Sequence, residues 1–228
     1  MTREAAKIQR LRGALEMRAY PQILLYRCTG TNSIMTKSNG LAGYLHFFWA
    51  GLAKHSQTGS FLPSQRVLID AMIAPVPSNY MGDIIELGTG TAPLTLRLTA
   101  KCPKARLHCC EINPVLAQDA RQNLSAAGVN GNVHVHTMSA QKLLAEIDKR
   151  AVEKPEFVIS GLPLGNLGKK TVLEILRASR DALAPNGVFV QIQHFLVDRK
   201  NVQSVFREVR IVPVLRNVPP VFVYYARK

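Results

Sequence analysis

The sequence predicts an α/β protein built on a mostly parallel, doubly wound sheet with helices on both faces and a helical extension at its N-terminus. Three observations point there. From residue 83 onward short apolar runs alternate with stretches of helical length; the first run ends in a glycine turn; and the alternation supplies seven strand candidates. Strands separated by helices need crossovers, and crossovers build parallel sheets.

The division falls between an extension over 1–55 and a main domain over 56–228. Within the extension, residues 3–18 predict an amphipathic helix. Ile8, Leu11 and Leu15 share one stripe, with Lys7, Arg10 and Arg18 on one flank and Arg12 on the other. An apolar stripe edged with cations suits a helix lying in an anionic membrane interface, and it equally suits one docked on the protein's own core. Residues 20–40 read as irregular, broken by Pro21, Gly30, Asn32, Asn39 and Gly40. Residues 41–54 predict a second helix whose face of Leu41, Leu45, Phe48 and Leu52 packs on the main domain. Tyr44, Phe47 and Trp49 lie beside that face, where aromatics also serve a substrate entrance or an interface belt.

In the main domain the strands fall at 83–87, 106–112, 133–137, 156–160, 188–192, 209–215 and 221–226. Helices fill 94–100, 114–127, 141–149 and 171–183; Gly128 closes the second, and Pro185-Asn186-Gly187 stops the last. The last two strands follow one another closely, which suits a reversed strand at the sheet's edge.

Lys and Arg number 29 against 15 Asp and Glu, a net charge of +14. That excess attracts polyanions, either nucleic acid or an anionic lipid surface. An apolar fraction of 47% excludes a disordered chain. No stretch approaches the roughly 18 apolar residues that span a bilayer, and the charged start over 1–12 is not a secretory signal. Cys28, Cys102, Cys109 and Cys110 lack metal-ligand spacing, so we expect reduced thiols, no metal and a cytoplasmic protein.

Glu86-Leu87-Gly88-Thr89-Gly90-Thr91 follows the first strand and precedes a helix. In an open parallel sheet this is where ligands bind, and glycines there let the backbone approach them closely. Glu111, with Ile112 beside it, ends the second strand 23 residues beyond Gly88, the position of a carboxylate that accepts two ribose hydroxyls. Ser139-Ala140 follows the third strand, where an adenine edge would sit. A dinucleotide site would want a pyrophosphate over the helix N-terminus, but Pro93 has no N–H to donate, and the acidic Glu86 opposes an anion. The set therefore points to S-adenosylmethionine, whose methionine ammonium suits Glu86.

At the fourth strand the sequence reads Phe157-Val158-Ile159-Ser160-Gly161-Leu162-Pro163-Leu164. With Gly59-Ser60-Phe61-Leu62-Pro63-Ser64 upstream and Asn217-Val218-Pro219-Pro220 downstream, residues 45–228 resemble the bacterial phospholipid N-methyltransferases. These convert phosphatidylethanolamine to phosphatidylcholine, and close relatives act on ornithine lipids. The resemblance implies a Rossmann-like class I methyltransferase sheet. It also implies that Glu86, Gly88, Gly90 and Glu111 hold S-adenosylmethionine, and that Ser160, Gly161, Leu162 and Pro163 line the methyl-transfer site. It further implies that the basic helix over 3–18 attaches the enzyme peripherally to anionic membrane. Two departures stand out: Met138-Ser139-Ala140 replaces a usual Gly-Asp-Ala, and His194 stands where relatives often carry Tyr.

For the chemistry, backbone carbonyls around Gly161 and Leu162 would orient the acceptor amine. His194 is the candidate proton acceptor, and equally a structural histidine. Lys54 and Arg66 are candidates for the lipid phosphate. An RNA or small-molecule methyltransferase is the rival reading, since +14 serves a phosphate backbone as well. A silent scaffold with the same fold is the third.

Overall fold

The computed structural model describes residues 63–228 apart from 130, 151, 152, 194, 195, 197 and 216–220. The extension over 1–55 with its two expected helices, Cys28, Lys54, His194 and Asn217-Val218-Pro219-Pro220 lie outside the described residues, as do residues 59–62 of the upstream segment.

The described chain runs α1 (Pro63–Ile73), β1 (Asp83–Leu87), α2 (Pro93–Lys101), β2 (Arg106–Glu111), α3 (Pro114–Ala126), β3 (Val133–Thr137), α4 (Ala140–Arg150), β4 (Phe157–Ser160), a 3-10 turn (Leu164–Asn166), α5 (Lys169–Ala182), β5 (Val188–Gln193), α6 (Arg199–Val205), β6 (Glu208–Val214) and β7 (Val221–Arg227). Each strand and helix expected after residue 83 is present, with ends shifted by up to two residues. The seven strands form one sheet in the order β3-β2-β1-β4-β5-β7-β6. β1 to β5 are parallel, and β7 runs antiparallel to both β5 and β6. The reversed strand is therefore not at the edge, as the sequence suggested. β7 turns back from β6 and inserts beside β5, leaving β6 outside. Its burial explains the choice: Val221, Val223, Tyr224 and Ala226 are all fully buried, whereas on β6 Glu208, Arg210 and Pro213 are exposed and only Val214 is buried.

The central strands are apolar on both faces because helices cover both. Ile84, Leu107, Ile159 and Val190 pack on one side beneath α1 and α2. Ile85, Leu87, Val158 and Phe189 pack on the other beneath α4, α5 and α6. On α5 the buried positions Val172, Ile175, Leu176 and Ser179 recur at helical spacing and set the docked face. Two helices were not anticipated. α1 docks through Leu68, Ile69, Met72 and Ile73 and is tied to β7 by Tyr225 Oη, which donates to Ala71 O at 2.6 Å. α6 is too short for a periodicity signal and packs through Val202 and Val205. No described helix is long and apolar enough to cross a membrane.

Candidate active site

The strand order reverses between β1 and β4, so the carboxyl ends of these strands flank the switch point where open α/β sheets bind ligands. The turn after β1 lies there. Gly88 and Gly90 have φ of 78° and 55°, and Ala92, at 72°, adopts the same left-handed conformation despite its Cβ. The turn is anchored from below: the Gly88 and Thr89 amides donate to Cys110 O at 2.9 and 3.0 Å. Asn123 of α3 donates to Thr91 O at 2.9 Å. Pro93 occupies the first turn of α2, where its missing N–H costs nothing.

Glu111 lies across the turn. Its Oε2 accepts from the Gly90 amide at 3.0 Å, and its Oε1 accepts from the Asn113 amide at 2.9 Å. Each carboxylate oxygen keeps lone-pair capacity after these bonds. Asn113 is held in turn, because its side chain caps α3 through the Val115 amide at 2.9 Å. Ile112 follows with 65% of its surface exposed, an open apolar face beside the carboxylate.

Glu86 is placed differently from a surface ligand. Only 2% exposed, it accepts from Thr95 Oγ1 of α2 at 2.7 Å, with Cys109 Sγ at 3.6 Å from the same oxygen. Burial pushes its pKa up to about 7; the Thr95 and Cys109 hydrogen bonds oppose the rise, and the charge of Glu111 adds to it. Thr89 Oγ1, also buried, has no hydrogen-bond partner of normal geometry. Burial beside Glu86 holds the Cys109 thiol protonated, its pKa well above the ordinary value.

The acceptor loop meets the cofactor turn directly. The Gly161 amide donates to Leu87 O at 2.8 Å. A Cβ built on Gly88 would lie 2.9 Å from Leu162 Cδ2 and 3.6 Å from the Gly161 carbonyl carbon, so the two segments are in van der Waals contact. Ser160 is fully buried at the end of β4, and its Oγ accepts from the Leu162 amide at 3.3 Å. Pro163, at φ −78° and ψ 73°, makes an inverse γ-turn closed by the Leu164 amide donating to Leu162 O at 2.9 Å. That same oxygen also accepts from Gln191 Nε2 of β5 at 2.8 Å. Both lone pairs of the Leu162 carbonyl are thus committed. Of the two carbonyls expected to orient an acceptor amine, that of Leu162 is therefore already occupied, while that of Gly161 accepts no hydrogen bond among the described residues.

Ser139 caps α4, its Oγ accepting from the Lys142 amide at 3.3 Å, and Ala140 is buried against the core under β1 and β2. Arg66 is exposed on α1. The structure thus brings Leu87, Gly88, Thr89, Gly90, Glu111, Ser160, Gly161, Leu162 and Pro163 to one place. The supporting Thr95, Asn123 and Gln191 were not anticipated; each is a polar residue on an otherwise apolar or helical stretch, with its partner 9, 32 and 29 residues away. Among the described residues no group of His, Cys, Asp and Glu is arranged to hold a metal.

A nucleoside fits the chemistry present: a pinned carboxylate for vicinal hydroxyls, an exposed apolar side chain beside it, and a turn at Gly88 whose positive φ disfavours a Cβ. Residues 63–216 match the family described as "Methyltransferase small domain". Over 170 residues the chain is 29% identical to an ornithine lipid N-methyltransferase of Singulisphaera acidiphila, covering 74% of this chain and 87% of that protein. Among solved structures it is similar to an O-methyltransferase from Bacillus cereus in complex with SAH, with a TM-score of 0.57 at 14% identity over 86% of this chain and 94% of that one. It is also similar to a precorrin-6y C5,15-methyltransferase from Geobacter metallireducens, with a TM-score of 0.57 at 19% identity over 72% and 87% of the two chains. The chain belongs to the methyltransferase small domain family and is a class I, Rossmann-like methyltransferase that uses S-adenosylmethionine.

Proposed function

We propose that this enzyme methylates the amine of a membrane lipid headgroup, taking phosphatidylethanolamine towards phosphatidylcholine or acting on an ornithine lipid, while lying on an anionic membrane at the cytoplasmic side. The name of its Singulisphaera relative supports an amine-bearing lipid. The observation that carries the reading is a polarity of the molecule. Among the described residues, four of the five exposed large apolar side chains (Ile112, Val115, Leu196 and Leu215) follow the carboxyl ends of strands, at the same end as the acceptor loop. The helices that begin at this end have no acidic residue in their first turns. Instead Lys142 opens α4, Lys169 and Lys170 open α5, and Arg199 and Lys200 open α6, against the helix dipole. Among the described residues none of these five forms an ion pair, whereas at the opposite end Arg106–Asp83, Lys154–Asp148 and Arg180–Asp181 are paired at 2.6 to 2.8 Å. Exposed apolar groups ringed by unpaired cations are the composition of a surface that meets anionic lipid.

In this reading Gly88, Gly90 and the Glu111 carboxylate hold the nucleoside, Ile112, Ser139 and Ala140 border its base, and Glu86 supplies negative charge beneath the methionine end. S-adenosylmethionine supplies a methyl group already activated by its sulfonium, so positioning and exclusion of water provide most of the rate. Ser160 and Gly161 orient the amine. The amine must be neutral to react, and His194 takes its proton.

The test is incubation with labelled S-adenosylmethionine, vesicles of phosphatidylethanolamine, ornithine lipid and an anionic lipid, and total RNA. Label in the lipid extract supports the reading. Label confined to RNA, or none despite measurable cofactor binding, overturns it.

A further inference from the structure

Gln191 is fully buried on β5, its Cα paired with Ser160 of β4 on one side and Tyr224 of β7 on the other. Both of its amide protons are used: Nε2 donates to Leu162 O at 2.8 Å and to Ile192 O at 2.6 Å. Its Oε1 is buried without a partner among the described residues. Exchanging the amide's nitrogen and oxygen would set an oxygen against two carbonyls, so the orientation is fixed. An unpartnered buried carbonyl carries an uncompensated desolvation penalty, which a leucine of similar size would avoid. Something must favour the amide, and the contact it makes is the Leu162 oxygen in the acceptor loop.

That contact decides which groups the loop presents. Leu162 is gripped at both ends of its backbone, its N–H by Ser160 Oγ and its C=O by Gln191 Nε2 together with the Leu164 amide. Pro163 follows and brings no N–H of its own. With the Leu162 carbonyl taken up by two donors, the Gly161 carbonyl beside Gly88, which has no donor among the described residues, is the one for an incoming N–H. The next inward residue of β5 repeats the device: Gln193 Nε2 donates to buried Asp198 at 2.9 Å, behind Gly165.

Building on the amine-acceptor reading above, we propose that Gln191 is a positioning residue for methyl transfer: by occupying the Leu162 carbonyl it locks the γ-turn at Pro163 and leaves Gly161 as the loop's acceptor for the substrate amine. It touches neither cofactor nor substrate. Its effect therefore falls on kcat and leaves cofactor affinity intact.

The experiment compares wild type with Gln191→Leu and Gln191→Glu, using labelled S-adenosylmethionine and the lipid vesicles above. Gln191→Leu keeps the volume and removes the donor; kcat falls roughly tenfold to a hundredfold, the scale of a misplaced reacting group, while the cofactor Kd stays within about twofold. Gln191→Glu donates to the Leu162 oxygen only when protonated, so its activity relative to wild type declines as pH rises, a profile that loss of packing alone would not give. Hydrogen exchange at the Leu164 amide, which shares the Leu162 oxygen, reports the loop without any substrate and quickens in Gln191→Leu. Wild-type kcat in both variants, or a fall in cofactor affinity matching the fall in kcat, overturns the proposal. Unchanged exchange at Leu164 overturns it whatever the acceptor proves to be, whereas a wild type that labels no lipid overturns the lipid reading instead.

Discussion

Glu111 accepts a hydrogen bond from the Gly90 amide at 3.0 Å, so the carboxylate ending β2 and the turn ending β1 form one unit. The bond does two things. It fixes the carboxylate's direction, and it steadies a glycine with φ of 55°. Replacing Glu111 by Ala removes the ribose acceptor and the brace together. We expect the affinity for S-adenosylmethionine to fall roughly tenfold to a hundredfold, the scale of lost hydrogen bonds to a charged group. Glu111→Gln keeps an oxygen for the Gly90 or Asn113 amide, so its loss is smaller. Isothermal titration reads both, and an unchanged Kd in Glu111→Ala would place the nucleoside elsewhere.

Gly88 carries two separable constraints. Its φ of 78° strains any residue with a Cβ, and that Cβ would lie 2.9 Å from Leu162 Cδ2. The second constraint is soft, because the tip of a leucine can move. Gly88→Ala should lower stability by about 1–2 kcal/mol through backbone strain. Adding Leu162→Ala relieves the clash without recovering that strain. Ala92 gives the converse case: at φ 72° it already bears this penalty, so Ala92→Gly is neutral or stabilising in thermal melts.

A pKa near 7 for Glu86 makes stability depend on pH in a definite direction. In the folded state Glu86 holds its proton up to about pH 7, whereas unfolded it releases the proton near the ordinary value of 4.5. The native state therefore binds more protons than the unfolded chain in this window. Stability falls as pH rises from about 4.5 to about 7 and stays lower above it. A neutral Glu86→Gln escapes the penalty. The variant should match wild type at pH 4.5 and exceed it at pH 8 by up to about 3 kcal/mol, seen as a Tm higher by several degrees. Its cofactor affinity should drop in exchange, more at pH 8 than at pH 6, because only the ionised carboxylate attracts a cation. Equal Tm differences at both pH values would refute the raised pKa.

Much of this was legible in the sequence because it depends on local constraints. Gly88, Gly90 and Pro93 mark the turn without knowledge of the fold, and strand–helix alternation is a backbone-period signal. Glu111 was found by distance from the turn. The order of β6 and β7 was not legible, since both read as half-apolar strands and only tertiary burial decides that Tyr224 lies inside. Glu86 was read from its charge alone, as a partner for an ammonium; its burial was not legible, because the Thr95 hydroxyl nine residues later, which allows it, looks in sequence like any helix-surface threonine. The role of Gln191 was hidden for the same reason. A glutamine on an apolar strand declares nothing until the Leu162 carbonyl is seen 2.8 Å away.

Lys169 and Lys170 occupy the first two positions of α5, after Gly168, a cap with no side chain to satisfy an amide. Cations there oppose the positive end of the helix dipole, and no acidic partner among the described residues relieves them. Stability alone would favour acids at both positions. The double variant Lys169→Glu, Lys170→Glu should therefore raise stability by roughly 0.3–1 kcal/mol at position 169 and by less at 170, where the new carboxylate meets Glu174 one turn on. If this end faces anionic lipid, the same change should remove about 1 kcal/mol of attraction per lysine and add repulsion, sharply reducing co-sedimentation with anionic vesicles at low salt. Activity on soluble amine analogues should persist, since neither residue touches the turn or the acceptor loop. A variant that is more stable yet still sediments like wild type would show that this end of the molecule does not meet the membrane.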